Sequence, residues 1–279
     1  MIEYVYLAPQ QLMPTEALIL TQDFFDYPGA HQQPDAIRQQ LAIELTLQSR
    51  SPGLDKRLQS LSHPVSFYFD TQDLSLNPVS KDAEIAACSK ARYLDAIQWA
   101  LQCNARYLLL PSLELPIYRI NGQYRNWFGK MVEFWESVLA VIPEHSRLTC
   151  VLLNYQDATP DTLSTLVQRI GHPKLKAGLD VGMVKLFSQL SPLDWLESLG
   201  DLAMYVRMTN NNGQTMEALP VMQDEVDFPA LANHLALLNR KLSVSFVGST
   251  LSDTRYSLDW LHPYLTLQER QYAAKRFLV

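Results

Sequence analysis

Short apolar runs alternate with helical patterns along most of the chain. Ala42–Leu47 (AIELTL), Val65–Phe69 (VSFYF), Arg106–Leu110 (RYLLL), Leu148–Leu153 (LTCVLL), Leu175–Leu179 (LKAGL), Leu202–Met208 (LAMYVRM) and Leu242–Val247 (LSVSFV) each read as a buried strand. They are short and apolar, and most are rich in β-branched or aromatic residues. The first strand is placed at Leu18–Thr21 (LILT), with residues 1–14 as a lead-in; Tyr4–Leu7 (YVYL) is the alternative. Helical patterns fill the gaps. Leu54–Leu61 is a short amphipathic stretch. Lys90–Gln102 carries Leu94, Ile97 and Leu101 at helical spacing, and Asn126–Val141 carries Phe128, Val132, Trp135 and Leu139 on one stripe. Thr159-Pro160 and Ser191-Pro192 read as N-cap plus first-turn proline, because a hydroxyl accepts from a free backbone N–H and proline needs no partner there. Pro229–Asn239 is a further helix, and a helical region over about 257–279 closes the chain.

Eight strands alternating with helices in one stretch predict an α/β fold, a (β/α)8 TIM barrel, as a single domain over 1–279. A doubly wound open sheet is the runner-up, since alternation alone does not show closure. Against it, no GxGxxG or GxxxxGK[ST] follows any strand.

Composition narrows the picture. The chain has 279 residues, 47% hydrophobic and 19% charged, enough for a large core. A formal net charge of −6 without a long basic run argues against nucleic acid as a partner. No apolar run is long enough for a membrane span. The three cysteines, Cys88, Cys103 and Cys150, have no CxxC spacing, and the first residues lack a basic region and long apolar core. Free thiols in a reduced, cytoplasmic setting are expected.

In a barrel the residues just past each strand gather at one mouth, where the chemistry sits. Here they are Asp70, Ser112, Glu114, Asn154, Asp180, Met183, Arg207, Asn210 and Ser249. The most pointed stretch is Lys176–Met183 (KAGLDVGM), a strand ending in Asp180 and a tight Val181-Gly182-Met183 turn. Glu114 and Asp180 are the acid–base candidates of this set. None of the six histidines pairs with a second at ligand spacing. The bland reading stays open beside the functional one: Asp180 and Arg207, at the ends of adjacent strands, form a salt bridge, Glu114 is a solvated loop charge, and Asn210-Asn211-Asn212-Gly213 is a turn.

The order LLNY (Leu152–Tyr155), LDVGM (Leu179–Met183), VRMTNNNG (Val206–Gly213), ALP (Ala218–Pro220) and VDFPAL (Val226–Leu231) resembles the xylose-isomerase-like barrel superfamily, which includes sugar-phosphate isomerase/epimerase-like proteins and apurinic endonucleases. The resemblance spans most of residues 42–260 and is best over 150–232. It implies a divalent metal held by acidic and histidine ligands after several strands. At those positions this chain has Leu153, Met183, Arg207, Thr209 or Asn210, Ala218 and Val247; of the usual ligands only Asp180 is kept. One carboxylate beside a cation cannot hold a divalent ion. No metal and no other cofactor is therefore expected, nor the multi-metal chemistry of an endonuclease.

What the resemblance leaves is a small carbohydrate-like ligand at the mouth. Asp180 or Glu114 is the candidate base and Arg207 the group that steadies an enediolate or pairs with an anion. Asn154 and Asn210 are candidates to bind sugar hydroxyls, and Trp127, with Tyr118 and Tyr124, to stack on a ring. A metal-independent isomerase, epimerase or lyase, a non-catalytic sugar or anion binder, and a scaffold that lost its pocket remain open. Self-association is compatible with the resemblance.

Overall fold

The computed structural model describes residues 2–9, 41–47, 50–60, 65–69, 76–112, 121–157, 159–222, 225–238 and 240–265. Eight parallel strands form a closed barrel in chain order: β1 (Ile2–Pro9), β2 (Leu41–Thr46), β3 (Val65–Tyr68), β4 (Tyr107–Pro111), β5 (Thr149–Leu153), β6 (Leu175–Asp180), β7 (Ala203–Met208) and β8 (Leu242–Gly248). Closure is direct. β1 pairs with β2 on one side and with β8 on the other, from Ile2↔Leu242 to Pro9↔Gly248.

The first strand is not at Leu18–Thr21, which lies outside the described residues. It is Ile2–Pro9, inside the stretch read as a lead-in and around the alternative Tyr4–Leu7. Its pattern, with Glu3 near the start and Pro9 at the end, hides it among continuous apolar runs. A terminal proline is tolerated because the ladder ends there.

Described helices pack outside the strands: α1 (Pro52–Ser60), α2 (Ala83–Gln102), α3 (Asn121–Leu139), α4 (Asp161–Ile170), α5 (Val181–Phe187), α6 (Pro192–Leu199), α7 (Phe228–Leu237) and α8 (Leu251–Leu265). α6 starts with a full capping box between Ser191 and Asp194, with Pro192 in its first turn. At α4 the expected Thr159 cap is replaced. Pro160 is the N-cap residue without a side-chain cap, and the Thr159 hydroxyl donates to the Asp161 carboxylate at 3.2 Å. α8 begins at Leu251, earlier than the helical region expected over about 257–279. No helix among the described residues is long and apolar enough to cross a membrane.

Two packed regions follow from strand alternation. One side of each strand meets the helices in a large core that includes Trp99, Trp135, Phe134, Leu108 and Phe246. The other faces the barrel lumen, where Tyr6, Tyr68, Tyr107, Leu109, Val151, Leu153 and Tyr205 pack together. Three of these tyrosines form a knot of ring contacts, with centroids 5.2–6.2 Å apart. Gly178 on β6 makes the room. A Cβ there would lie 2.7 Å from Val151 Cγ1, 2.8 Å from Leu153 Cδ2 and 3.0 Å from the Tyr205 carbonyl oxygen.

The lumen also holds polar groups unusual for a branched-aliphatic barrel interior. Glu44, Ser66, Arg207, Ser243 and Ser245 are all buried. Glu44 is the register partner of Ser66, and Arg207 that of Ser245.

Candidate functional site

The site grows from the end of β6. Asp180 is its last residue and the direct register partner of Arg207 on β7. The turn expected after it is instead the first turn of α5, capped by Asp180 itself: Met183 N–H donates to Asp180 Oδ1 at 3.3 Å. Asn154, just past β5, holds the Asp180 backbone from both sides. Its Oδ1 accepts from Asp180 N–H at 2.7 Å and its Nδ2 donates to Asp180 C=O at 3.1 Å.

The Asp180 side chain is fully engaged. Oδ2 accepts from Arg207 Nη1 at 2.8 Å. Oδ1 accepts from the Thr209 hydroxyl as well as from Met183 N–H. Thr209 Oγ1 in turn accepts from Gly182 N–H at 2.7 Å, and Asn211 Nδ2 donates to Gly182 C=O at 2.8 Å. Glycine is required there, because a Cβ at Gly182 would lie 2.9 Å from both Thr209 Oγ1 and Asn211 Nδ2.

Arg207 is 1% exposed and reaches a second carboxylate. Its Nε donates to Glu44 Oε1 at 3.1 Å, and Glu44 Oε2 accepts from the Tyr205 hydroxyl at 2.8 Å. The guanidinium carbon lies 3.9 Å from the centroid of the Tyr68 ring, a cation–π contact. Burial works against its charge, but Glu44 and then Asp180 outweigh that and hold its pKa above the ordinary arginine value. Burial, and after it Glu44, push the Tyr205 hydroxyl well above the ordinary phenol value. The third guanidinium nitrogen, Nη2, is buried and finds no hydrogen-bond partner among the described residues. Buried polar groups nearly always have a partner, so this one calls for an explanation.

A cavity of about 60 Å³ opens beside this cluster. Asp180, Arg207, Thr209, Asn210 and Asn211 give it polar walls; Tyr68, Met183, Met216 and Ala218 give it apolar ones. The space exceeds what one water needs. The Asn-Asn-Asn-Gly segment is the expected turn: Gly213 has φ 75°, Asn211 Oδ1 accepts from Gly213 N–H, and Asn212 Oδ1 accepts from Gln214 and Thr215 N–H. Asn210 is held by Pro220 C=O, to which its Nδ2 donates at 3.2 Å.

The structure thus brings together Asp180, Arg207 and Asn210 at one cavity and places Asn154 behind Asp180. Trp127 lies on α3, packed against the outer core and stacked on Tyr124 with centroids 6.0 Å apart, away from the cavity lining. Glu114, Asp70 and Tyr118 lie outside the described residues. Ser112 donates to the buried Asp157 carboxylate, and its Oγ also accepts from Tyr155 N–H. The residues that strand-end reasoning misses are Glu44, Tyr68 and Thr209. For Glu44 the sequence carries a signal: it is the one charge inside the apolar run AIELTL.

No protein-family model and no curated protein sequence matches the chain. Solved structures do. A D-tagatose 3-epimerase-like protein superposes with TM-score 0.73 at 17% identity, over 96% of this chain and 99% of its own. D-psicose 3-epimerase from Clostridium cellulolyticum H10, solved with D-tagatose, gives 0.67 at 14%, over 94% and 99%. A xylose isomerase domain protein from Planctomyces limnophilus gives 0.63 at 12%, over 94% and 95%. Likeness at such identities establishes architecture: this chain has the (β/α)8 barrel of these structures.

Proposed function

We propose that the cavity beside Asp180 and Arg207 receives a small carbohydrate or sugar phosphate, and that the protein isomerises or epimerises it with Arg207 in the role a divalent cation would otherwise have. The observation that carries this reading is Arg207, a residue of the cavity wall whose buried Nη2 has no acceptor among the described residues. Leaving such a group unpaired costs about 1–3 kcal/mol or more. A carbonyl oxygen of a ligand would satisfy it.

A base removes a proton from the carbon beside the carbonyl, and the electron pair moves onto the carbonyl oxygen to give an enediolate. Arg207, fixed beforehand by Glu44 and Asp180, stabilises that developing charge without reorganising, and with Asp180 as the base the proton it takes removes its own negative charge as the oxygen gains one. Asp180 is the base on the cavity wall, once Thr209 releases Oδ1; Glu114 is the second candidate. Asn210 is placed to bind a hydroxyl, Asn154 to fix the Asp180 backbone. Trp127 belongs to the ligand only if the ligand reaches beyond the described cavity.

The donor set of the described residues supports this metal-free reading. Among the described residues no three His, Cys, Asp or Glu side chains gather to share an ion, and the two carboxylates that approach each other do so on either side of a guanidinium. A second reading, a non-catalytic sugar binder, is favoured by one observation: both Asp180 oxygens already accept hydrogen bonds.

Asp180→Asn separates the two. Turnover and binding are followed by NMR against a panel of ketoses, aldoses and their phosphates, with and without a chelator. Turnover lost with binding retained, and wild-type turnover indifferent to the chelator, is the expected result. No turnover by wild type with binding intact leaves the binder; loss of activity on chelation overturns the metal-free reading.

A further inference from the structure

We infer that Glu44 is a specificity determinant: acting through Arg207 from outside the cavity, it restricts the site to ligands that are uncharged at the group meeting the guanidinium. This rests on the reading that a ligand meets Arg207 and narrows it, setting the uncharged sugar against the sugar phosphate or sugar acid.

Arg207 supplies one positive charge, and the two carboxylates bonded to it, Glu44 at 3.1 Å and Asp180 at 2.8 Å, supply two negative ones. An anion approaching Nη2 therefore meets a cluster that is net negative. Arg207 is the only cation among the residues lining the described cavity. The Lys185 amine is directed to Asn211 C=O at 2.6 Å and Asn210 Oδ1 at 3.5 Å.

An anion site in this position would draw on the first N–H groups of the helix that follows β6. Those groups are occupied: Gly182 N–H donates to Thr209 Oγ1 and Met183 N–H to Asp180 Oδ1. Of the three Arg207 nitrogens, Nε and Nη1 already donate to Glu44 and Asp180 and only Nη2 is without a partner among the described residues, so no pair of partnerless nitrogens forms the fork that a phosphate or carboxylate takes. A single nitrogen suits one carbonyl or hydroxyl oxygen.

Glu44 is the residue that sets this balance without touching the ligand. It is 2% exposed and is not part of the cavity wall. Glu44→Gln removes its charge and can keep both bonds, the amide oxygen accepting from Arg207 Nε and the amide nitrogen donating to the Tyr205 oxygen. Tyr205→Phe removes the hydroxyl and leaves the charge, so it serves as the control.

The test is titration calorimetry of wild type, Glu44→Gln and Tyr205→Phe with D-fructose and D-tagatose, and with D-fructose 6-phosphate and D-gluconate. Wild type is expected to prefer the uncharged pair. For a unit charge about 8 Å from the ligand at an effective dielectric of about 20, Glu44→Gln shifts the ratio toward the anions about thirtyfold. Tyr205→Phe leaves the ratio in place. A ratio that moves less than about threefold in folded Glu44→Gln, or a wild type that prefers the anions, overturns the inference while the ligand reading stands. A wild type that binds none of the four overturns both. Should Glu44→Gln not fold, the salt dependence of wild type decides: anion affinity that falls steeply as NaCl is raised marks a net positive site and overturns it; affinity that holds or rises supports it.

Discussion

Replacing Arg207 by methionine tests whether the Glu44–Arg207–Asp180 cluster is the unit described. Methionine keeps much of the apolar stem and deletes the guanidinium. Glu44 and Asp180, each 2% exposed, then remain buried without their shared counter-charge. Removing one partner of a buried ion pair costs about 3–5 kcal/mol, because the other charge is stranded. Two carboxylates are stranded here, but neither is bare: Glu44 keeps the Tyr205 hydroxyl, and Asp180 keeps Thr209 and Met183 N–H. The expected loss is therefore within that range, about 4 kcal/mol, or roughly 10 °C in Tm for a chain of this size. Urea unfolding followed by circular dichroism measures it from the shift in midpoint. The companion is Arg207→Met with Glu44→Gln and Asp180→Asn, in which no charge is left. If stranded charge is the cause, that triple variant regains more than half of the loss. A single-variant loss below about 1 kcal/mol, the scale of an exposed pair, or a triple variant less stable than the single one, refutes the reasoning.

Two further outcomes follow from the packing. Gly178→Ala places a methyl against the fixed Tyr205 carbonyl and two lumen side chains, so it lowers stability by about 1–3 kcal/mol in the same unfolding assay, although alanine usually improves on glycine elsewhere. Burial pushes the Cys103 and Cys150 thiols up to about 12, whereas Cys88 is exposed, so a thiol reagent labels Cys88 first and the other two only on unfolding. The sign of the linked pH effect is fixed: the folded state keeps protons that the unfolded chain releases, so the contribution of Cys150 is intact below its ordinary value of 9.0 and is lost as pH rises toward about 12. Over that window Cys150→Ala loses stability less steeply than wild type, by about 1.4 kcal/mol per pH unit.

The strands were readable where the chain is buried on both faces. From β2 to β8 the apolar runs mark each strand to within one or two residues, because the strands are covered on both faces and buried polar residues such as Glu44 and Arg207 interrupt them only singly. β1 is legible only as the alternative Tyr4–Leu7, because nothing in its own sequence announces that β8 will pair with it. Position alone pointed to Asp180 and Arg207. It did not reveal that Arg207 turns inward to Glu44, since strand-end reasoning searches the rim and Glu44 sits within its strand. Thr209 is legible only as one of two positions where the resemblance would place an aspartate; its bonds to Asp180 and Gly182 exist only once β6 and β7 are side by side.

Barrel closure has a consequence in time. β1 belongs to residues 2–9, and the strand it pairs with along its length, β8, belongs to residues 242–248. During synthesis the first strand therefore leaves the ribosome long before that partner exists. Until then the growing sheet has two unpaired edges, each a template for another chain. Contacts so distant in sequence also make the last step slow, since the loop-closure entropy must be met before they form. The point of greatest exposure to misassembly in the life of this chain is thus the interval before β8 emerges, and refolding yield rather than equilibrium stability is where a weakened β1–β8 seam would first be felt.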